Sequence, residues 1–135
     1  MTETHVHIGQ VADVTGMSHR TIRYYEEMGL VTPTARTDGG FRLYDDADID
    51  RLLLIKPMKP LGFTLEQMRQ LLTALDTLAD ATASTADRSA AQAQISEIHG
   101  DALARVTELR KATAAAETFT QRLTHEMSTP ESRPN

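Results

Sequence analysis

Cysteine and tryptophan are absent from this chain, and only three tyrosines and three phenylalanines occur among its 135 residues. Without cysteine there is no disulfide and no thiolate metal site. No apolar run approaches the roughly 20 residues of a membrane-spanning helix, and the N-terminus lacks a signal-peptide pattern, so a cytoplasmic chain with no membrane partner is expected. Nothing pairs a nucleophile with a base, cradles a phosphate in glycines or gathers a metal triad, so neither an enzyme nor a cofactor is expected. Positive charge is scarce as well. The chain has 14 Lys and Arg against 19 Asp and Glu, and its first 75 residues hold 8 against 10. An anionic partner must therefore be held by a few well-placed side chains rather than by the overall field, and weak non-specific attraction follows from the same balance. The length leaves room for one small core with an appendage, not for a second full-sized core.

What is present is concentrated between Gly16 and Tyr44, in GMSHRTIRYYEEMGLVTPTARTDGGFRLY. Gly16 suits the left-handed conformation that ends a helix, and Met17-Ser18 supplies an apolar staple and an N-cap for the next one, with Ile22 placed to fold back on Met17. A short helix, a glycine turn and a capped second helix make a helix-turn-helix. On the second helix Ile22, Tyr25 and Met28 share a stripe for the core. His19, Arg20, Arg23, Tyr24 and Glu27 fall on the other side, which begins at the helix end that enters a major groove, with Ser18 and Thr21 beside them. The period then changes: Arg36 and Arg42 flank Thr37-Asp38-Gly39-Gly40, a hairpin-turn signal that runs on to Tyr44. Two arginines on a hairpin beside a reading helix can clamp phosphates or enter the neighbouring minor groove. The candidate contacts to double-stranded DNA are thus Ser18, His19, Arg20, Thr21, Arg23, Tyr24, Arg36, Gly40, Arg42 and Tyr44. Taken singly, a basic helix face and a glycine loop are ordinary solvated surface. In this order, so close together, they point to a groove reader.

A second unit echoes the first. Gly62-Phe63-Thr64 with Gln67-Met68-Arg69 repeats the order of glycine, staple, hydroxyl cap, apolar residue and arginine, and the Thr64 to Gln67 spacing is a capping box. The helix before it should begin near Asp45-Asp46, show an apolar side of Ile49, Leu52, Leu53 and Ile55, and kink or end near Lys56, because an interior proline costs about 3 kcal/mol and Pro57 and Pro60 follow. This closes a DNA-binding domain over residues 1–78. Residues 79–87, ADATASTAD, are small and polar, and a linker is expected there. Beyond it Ile95, Ile98, Ala102, Val106, Leu109, Ala112 or Thr113, Ala116, Phe119, Leu123 and Met127 recur in steps of three and four, a coiled-coil seam on a helix over 88–127. Such a helix would be about 60 Å long, too long to stand with its seam unpaired, and its simplest partner is a second copy. Gly100 should weaken it by about 1 kcal/mol without breaking it. The tail, 128–135, is expected to be disordered. A two-fold dimer presents two reading helices, so the expected DNA site is an approximate inverted repeat.

From Ile8-Gly9-Gln10-Val11-Ala12, through Arg20-Thr21-Ile22-Arg23-Tyr24-Tyr25-Glu26-Glu27-Met28-Gly29-Leu30 and Gly40-Phe41-Arg42-Leu43-Tyr44, to Leu61-Gly62-Phe63-Thr64-Leu65, the chain resembles the MerR family of bacterial transcription regulators. The resemblance implies a mainly α fold: a winged helix-turn-helix domain with a short β-hairpin wing, followed by a long coiled-coil dimerisation helix. It implies that the second unit presses on the phosphate backbone, which makes Lys56 and Lys59 candidate contacts; solvated lysines at a helix end are the plain alternative. It further implies a homodimer of antiparallel long helices, sitting with RNA polymerase at a promoter of overlong spacer in the nucleoid and bending or untwisting the DNA. Pro57 and Pro60 depart from the family pattern and leave the placement of Lys59 open. Metal-sensing members use cysteines that this chain lacks. His5 and His7 lie on a frayed terminus, and His99 and His125 stand too far apart on one helix to share an ion. A small apolar ligand lined by Phe119, Leu123 and Met127 competes with the simpler reading of these three as dimer core. Two other functions remain in view. One is an effector-independent DNA-bending or excisionase-like protein, disfavoured by the long helix; the other is a coiled-coil interaction protein, disfavoured by four arginines on one side.

Overall fold

The computed structural model of the protein describes residues 5–128, so the expected tail lies outside the described residues except for Ser128. Helix α1 (Ile8–Thr15) ends where Gly16 turns left-handed at φ 71° and returns its amide to the Ala12 carbonyl. Ser18 then caps α2 (His19–Glu27): its hydroxyl accepts the Thr21 amide at 3.1 Å and donates to the Thr21 hydroxyl at 2.9 Å. Met17, Ile22 and Tyr25 are buried, whereas Met28 is half-exposed at the helix end.

The wing is an antiparallel pair, β1 (Ala35–Arg36) and β2 (Arg42–Leu43), with Ala35 opposite Leu43 and Arg36 opposite Arg42. Thr37 organises its tip. The Thr37 amide donates to the Phe41 carbonyl at 2.9 Å, its carbonyl accepts the Gly40 amide at 2.8 Å, and its hydroxyl accepts the Phe41 amide at 3.1 Å. Gly40 takes φ 84°, which explains glycine at this corner. Val6 extends the hairpin by one bridge, exchanging amide and carbonyl with Tyr44 at 2.8 Å in each direction.

Helix α3 (Asp46–Ile55) opens on a capping box in which Asp45 accepts the Asp48 amide at 2.9 Å and Asp48 accepts the Asp45 amide at 3.0 Å. It ends at Ile55, and Lys56–Met58 forms one 3-10 turn with Pro57 at its start, where a missing amide is harmless. Helix α4 (Leu65–Ala79) opens on the capping box expected of Thr64 and Gln67, at 3.1 and 2.9 Å. Val11, Ile22, Leu30, Val31, Tyr44, Leu52 and Ile55 form the centre of the core.

Helix α5 (Thr85–Ser128) begins three residues before Arg88, because the Ser84 hydroxyl accepts the Asp87 amide at 3.0 Å and caps it there. The stretch between α4 and α5 is a stitched turn rather than a loose segment. Asp80 accepts the Thr82 amide at 2.9 Å and the Thr82 hydroxyl at 2.7 Å, and these bonds lower the Asp80 pKa. Arg88 reaches back to the carbonyls of Leu78 and Asp80 at 3.2 and 2.6 Å. Helix α5 runs through Gly100 without a break. By its contacts the chain divides into a unit that ends at Ile98 and a second that begins at His99. Within the first, Ala91 and Ile98 of α5 are buried.

Candidate nucleic-acid interface

Five of the eight basic residues in the first 75 are engaged inside the fold. Lys56 donates its ammonium to the Thr15 carbonyl at 2.6 Å, where the C-terminal end of α1 carries partial negative charge. A Cβ at Gly16 would lie 2.9 Å from that ammonium, the far end of a flexible side chain, so it is the left-handed turn that calls for glycine here. Lys56, expected on a phosphate, is exposed and also caps the end of α1 within the fold. Arg69 of α4 donates to the Met28 carbonyl at 2.6 Å and Arg51 of α3 to the Leu30 carbonyl at 3.3 Å. Arg36 donates to the Gly40 carbonyl at 3.1 Å across the wing, and Arg42 is paired with Glu26.

That leaves Arg20, Arg23 and Lys59, which are exposed and whose side chains make no hydrogen bond or ion pair with another described residue. Arg20, Thr21 and Tyr24 share with Lys59 a recess of ≈ 420 Å³, completed by Tyr25, Phe63, Leu65 and Met68. The prolines thus do not remove Lys59 from the reading helix: the 3-10 turn delivers it to the same recess as Arg20. The Tyr24 ring is tilted 45° against Tyr25 with centroids 6.1 Å apart, and it remains open to solvent. Arg23 and His19 are exposed on α2 and do not line this recess.

Glu26, to which the sequence reading assigned no role, holds the wing. The Arg42 Nε lies 2.7 Å from Glu26 Oε1 and 2.6 Å from Oε2, the Tyr44 hydroxyl donates to Oε2 at 3.1 Å, and Arg36 approaches Oε1 at 3.9 Å. The bond to Glu26 raises the Arg42 pKa further, so the wing guanidinium is charged under all ordinary conditions. The other strand is tied by Thr34, whose hydroxyl donates to the buried Asp48 carboxylate at 2.8 Å. Burial raises the pKa of Asp48, whereas the bond from the Asp48 amide lowers that of Asp45.

Tyr44 is 0% exposed, so the expectation that it touches DNA gives way to a part in this clasp. Burial, and then the Glu26 charge, push its hydroxyl from 10.0 up to about 12. A hydroxyl whose pKa is raised by folding contributes stability that is complete below its unfolded pKa and lost as pH climbs through its folded one. The melting temperature of the wild-type chain should therefore fall between pH 10 and about 12. Tyr44→Phe should melt lower at neutral pH, by the order of 1 kcal/mol of lost hydrogen bonding, and show a shallower alkaline decline. Parallel declines in thermal melts of the two proteins would assign the transition to another group.

On the seam, Leu109 and Phe119 are 53% and 63% exposed, and Ala116 and Leu123 are exposed as well. Ala102, Val106 and Ile95 are half-exposed. Ile98 is 7% exposed, so most of its surface is already covered within the chain. Leu103, 54% exposed, lies beside the seam and was not anticipated.

Residues 6–75 match the family model described as MerR HTH family regulatory protein, and residues 49–125 match the one described as MerR, DNA binding. The chain is similar to the HTH-type transcriptional regulator HmrR of Sinorhizobium medicae, 35% identical over 120 residues that cover 89% of this chain and 73% of that protein. It is also similar to the mercuric resistance operon regulatory protein of Bacillus cereus, 46% identical over 69 residues, 51% of this chain and 52% of that one. Among solved structures, HiNmlR, described as a MerR family regulator lacking the sensor domain and bound to promoter DNA, shares the fold at TM-score 0.66 and 18% identity, over 95% of this chain and 87% of that one. A MerR family regulator from Bacillus thuringiensis does so at TM-score 0.66 and 18% identity, over 90% and 99%. No helix among the described residues is long and apolar enough to cross a membrane. These matches favour a regulator over an excisionase-like bending protein. With its winged helix-turn-helix and long C-terminal helix, the chain belongs to the MerR family of DNA-binding transcriptional regulators, which are not enzymes.

Proposed function

We propose that the protein works as a homodimer on an approximate inverted repeat in a promoter, in the cytoplasm and in company with RNA polymerase. In this reading the part over 1–78 contacts DNA and the part over 88–127 carries dimerisation. The observation that carries the reading is the selective sparing of Arg20, Arg23 and Lys59. In a domain with more acidic than basic residues, most cations are engaged on carbonyls and carboxylates, and the three whose side chains have no partner among the described residues include two that share one recess with Tyr24. Arg20 and Arg23 lie near the N-terminal end of α2, suited to base edges; Lys59 suits a phosphate at the rim. The wing, clasped to α2 through Glu26, presents Arg36 and Arg42 as a rigid extension that can deform the duplex it grips.

Arg20→Ala tests this directly. Loss of a base contact costs roughly 1–3 kcal/mol per half-site, and a two-fold dimer loses it twice, so affinity for a duplex selected from a random library by the wild-type chain should fall at least about 30-fold. Sedimentation should show the dimer unchanged. An unaltered footprint would remove Arg20 from the site.

A further inference from the structure

The reading helix and the wing are joined through Met28-Gly29-Leu30, and this turn is where two distant side chains take hold of main-chain carbonyls. Arg69 of α4 donates one terminal nitrogen to the Met28 carbonyl at 2.6 Å, while its other is held by Glu66 at 2.8 Å. Arg51 of α3 donates Nε to the Leu30 carbonyl at 3.3 Å and a terminal nitrogen to Asp76 of α4 at 2.6 Å. The turn's own bonds run back into α2, from the Leu30 amide to the Tyr25 carbonyl at 2.9 Å and from the Gly29 amide to the Glu26 carbonyl at 3.0 Å. Gly29 sits at φ 78°, and Leu30 and Val31 are buried, so the far side of the turn is fixed in the core. Helix α4 thus sends one arginine to the turn and steers the second through Asp76.

We propose that Arg69 and Arg51 are positioning residues through which α4 sets the angle between the reading helix and the wing, and so the extent to which bound DNA is deformed. The proposal rests on the DNA-reading function above. Its physical basis is that a helix and a hairpin joined by a short turn form a hinge with two attachments. Glu26 ties the wing to the helix on one side, and the two guanidiniums fix the turn's carbonyls on the other. Carbonyls at a helix end find water when a side chain leaves them, so losing the clamp releases geometry more than stability. A lysine cannot replace Arg69, because one ammonium on a flexible stem does not fix a carbonyl and a carboxylate in the planar geometry of two guanidinium nitrogens. The C-terminal end of the same helix α4 receives Arg88 of α5 on the carbonyls of Leu78 and of its C-cap Asp80, which places the clamp one helix away from the start of α5.

The experiment uses the full chain and a duplex selected from a random library by the wild-type protein, labelled at both ends so that energy transfer reads the end-to-end distance at saturation. Arg69→Met, which keeps the aliphatic stem, should bind within about threefold of wild type and melt within a few degrees of it, yet lose at least half of the change in transfer. Arg69→Lys should fail to restore that change. Asp76→Asn, which removes the charge that orients Arg51, should shift transfer in the same direction by less. Wild-type deformation by both Arg69→Met and Asp76→Asn overturns the proposal, as does a loss of deformation that merely tracks lost affinity or lost folding in both. A wild-type chain that binds the selected duplex without deforming it overturns the proposal while the DNA-reading function stands; one that enriches no duplex removes that function itself.

Discussion

Alanine at Glu26 should uncouple the wing from the reading helix, lowering the affinity for a selected inverted-repeat duplex by about 100-fold or more, an effect worth roughly 3 kcal/mol. The carboxylate is hydrogen-bonded to Arg42 and Tyr44 and approached by Arg36. Its removal leaves the Tyr44 hydroxyl, on a residue with no exposed surface, without this acceptor, which costs about 1–3 kcal/mol. For a domain of this size that corresponds to a fall in melting temperature of about 5–15 °C. The loss of binding has a separate origin. Arg36 and Arg42 remain on the hairpin but lose the anchor that aims them, so the contact must be made from a wider set of wing positions, at a cost in ordering entropy. Glu26→Gln separates the two effects: its amide oxygen still accepts from Tyr44, so most of the stability should return, while the missing charge leaves Arg42 and Arg36 poorly held. Calorimetry and gel shifts at one fixed salt concentration measure both quantities. Wild-type affinity in the alanine variant would mean that the wing works without its clasp.

What the sequence made legible was local. Gly16, Ser18, the Thr64 and Gln67 box, the Asp45 helix start and the hairpin around Gly40 all act over at most four residues, and each carries its signal in residue type and spacing. The prolines stopped α3 near Lys56 for the same reason. The contacts that arrange the site are of another kind. Glu26 meets Tyr44 18 residues away, and Lys56 and Arg69 each cap a helix end 41 residues away. No periodicity announces a bond over that separation, so the buried Tyr44 read as a DNA contact, the capping bond of Lys56 was not foreseen, and Glu26, Arg51 and Arg69 had no assigned role. Pattern also failed to say which seam residues the chain itself covers. Ile98 shares the seam's spacing with Leu109, yet it is buried within the single chain. In the small polar stretch before α5, composition did not show that Ser84 and Asp80 cap and stitch a turn.

The second large effect is expected at Leu109, where glutamate should convert the proposed dimer to monomers. In the second unit of the chain Leu103, Leu109, Phe119, Leu123 and Met127 stand exposed along one helix, and a helix carrying so much apolar surface is not stable in water alone. A shallow groove of ≈ 280 Å³ lined by Val106, Leu109, Arg110, Thr113, Ala114 and Glu117 offers a seat for a side chain from a facing helix. Deleting a leucine from such a contact costs about 2–5 kcal/mol, and two-fold symmetry imposes the loss twice, before any penalty for the buried carboxylate. The dimer constant should weaken at least a thousandfold, about 4 kcal/mol. DNA binding should then fall steeply, because two half-sites held by one molecule become two independent weak encounters. The first unit, whose core does not use Leu109, should keep its fold, which near-unchanged melting of residues up to Ile98 in hydrogen exchange would report. A glutamate variant that still sediments as a dimer would place the seam on another face, and Leu103, at 54% exposure, would be the next residue to replace.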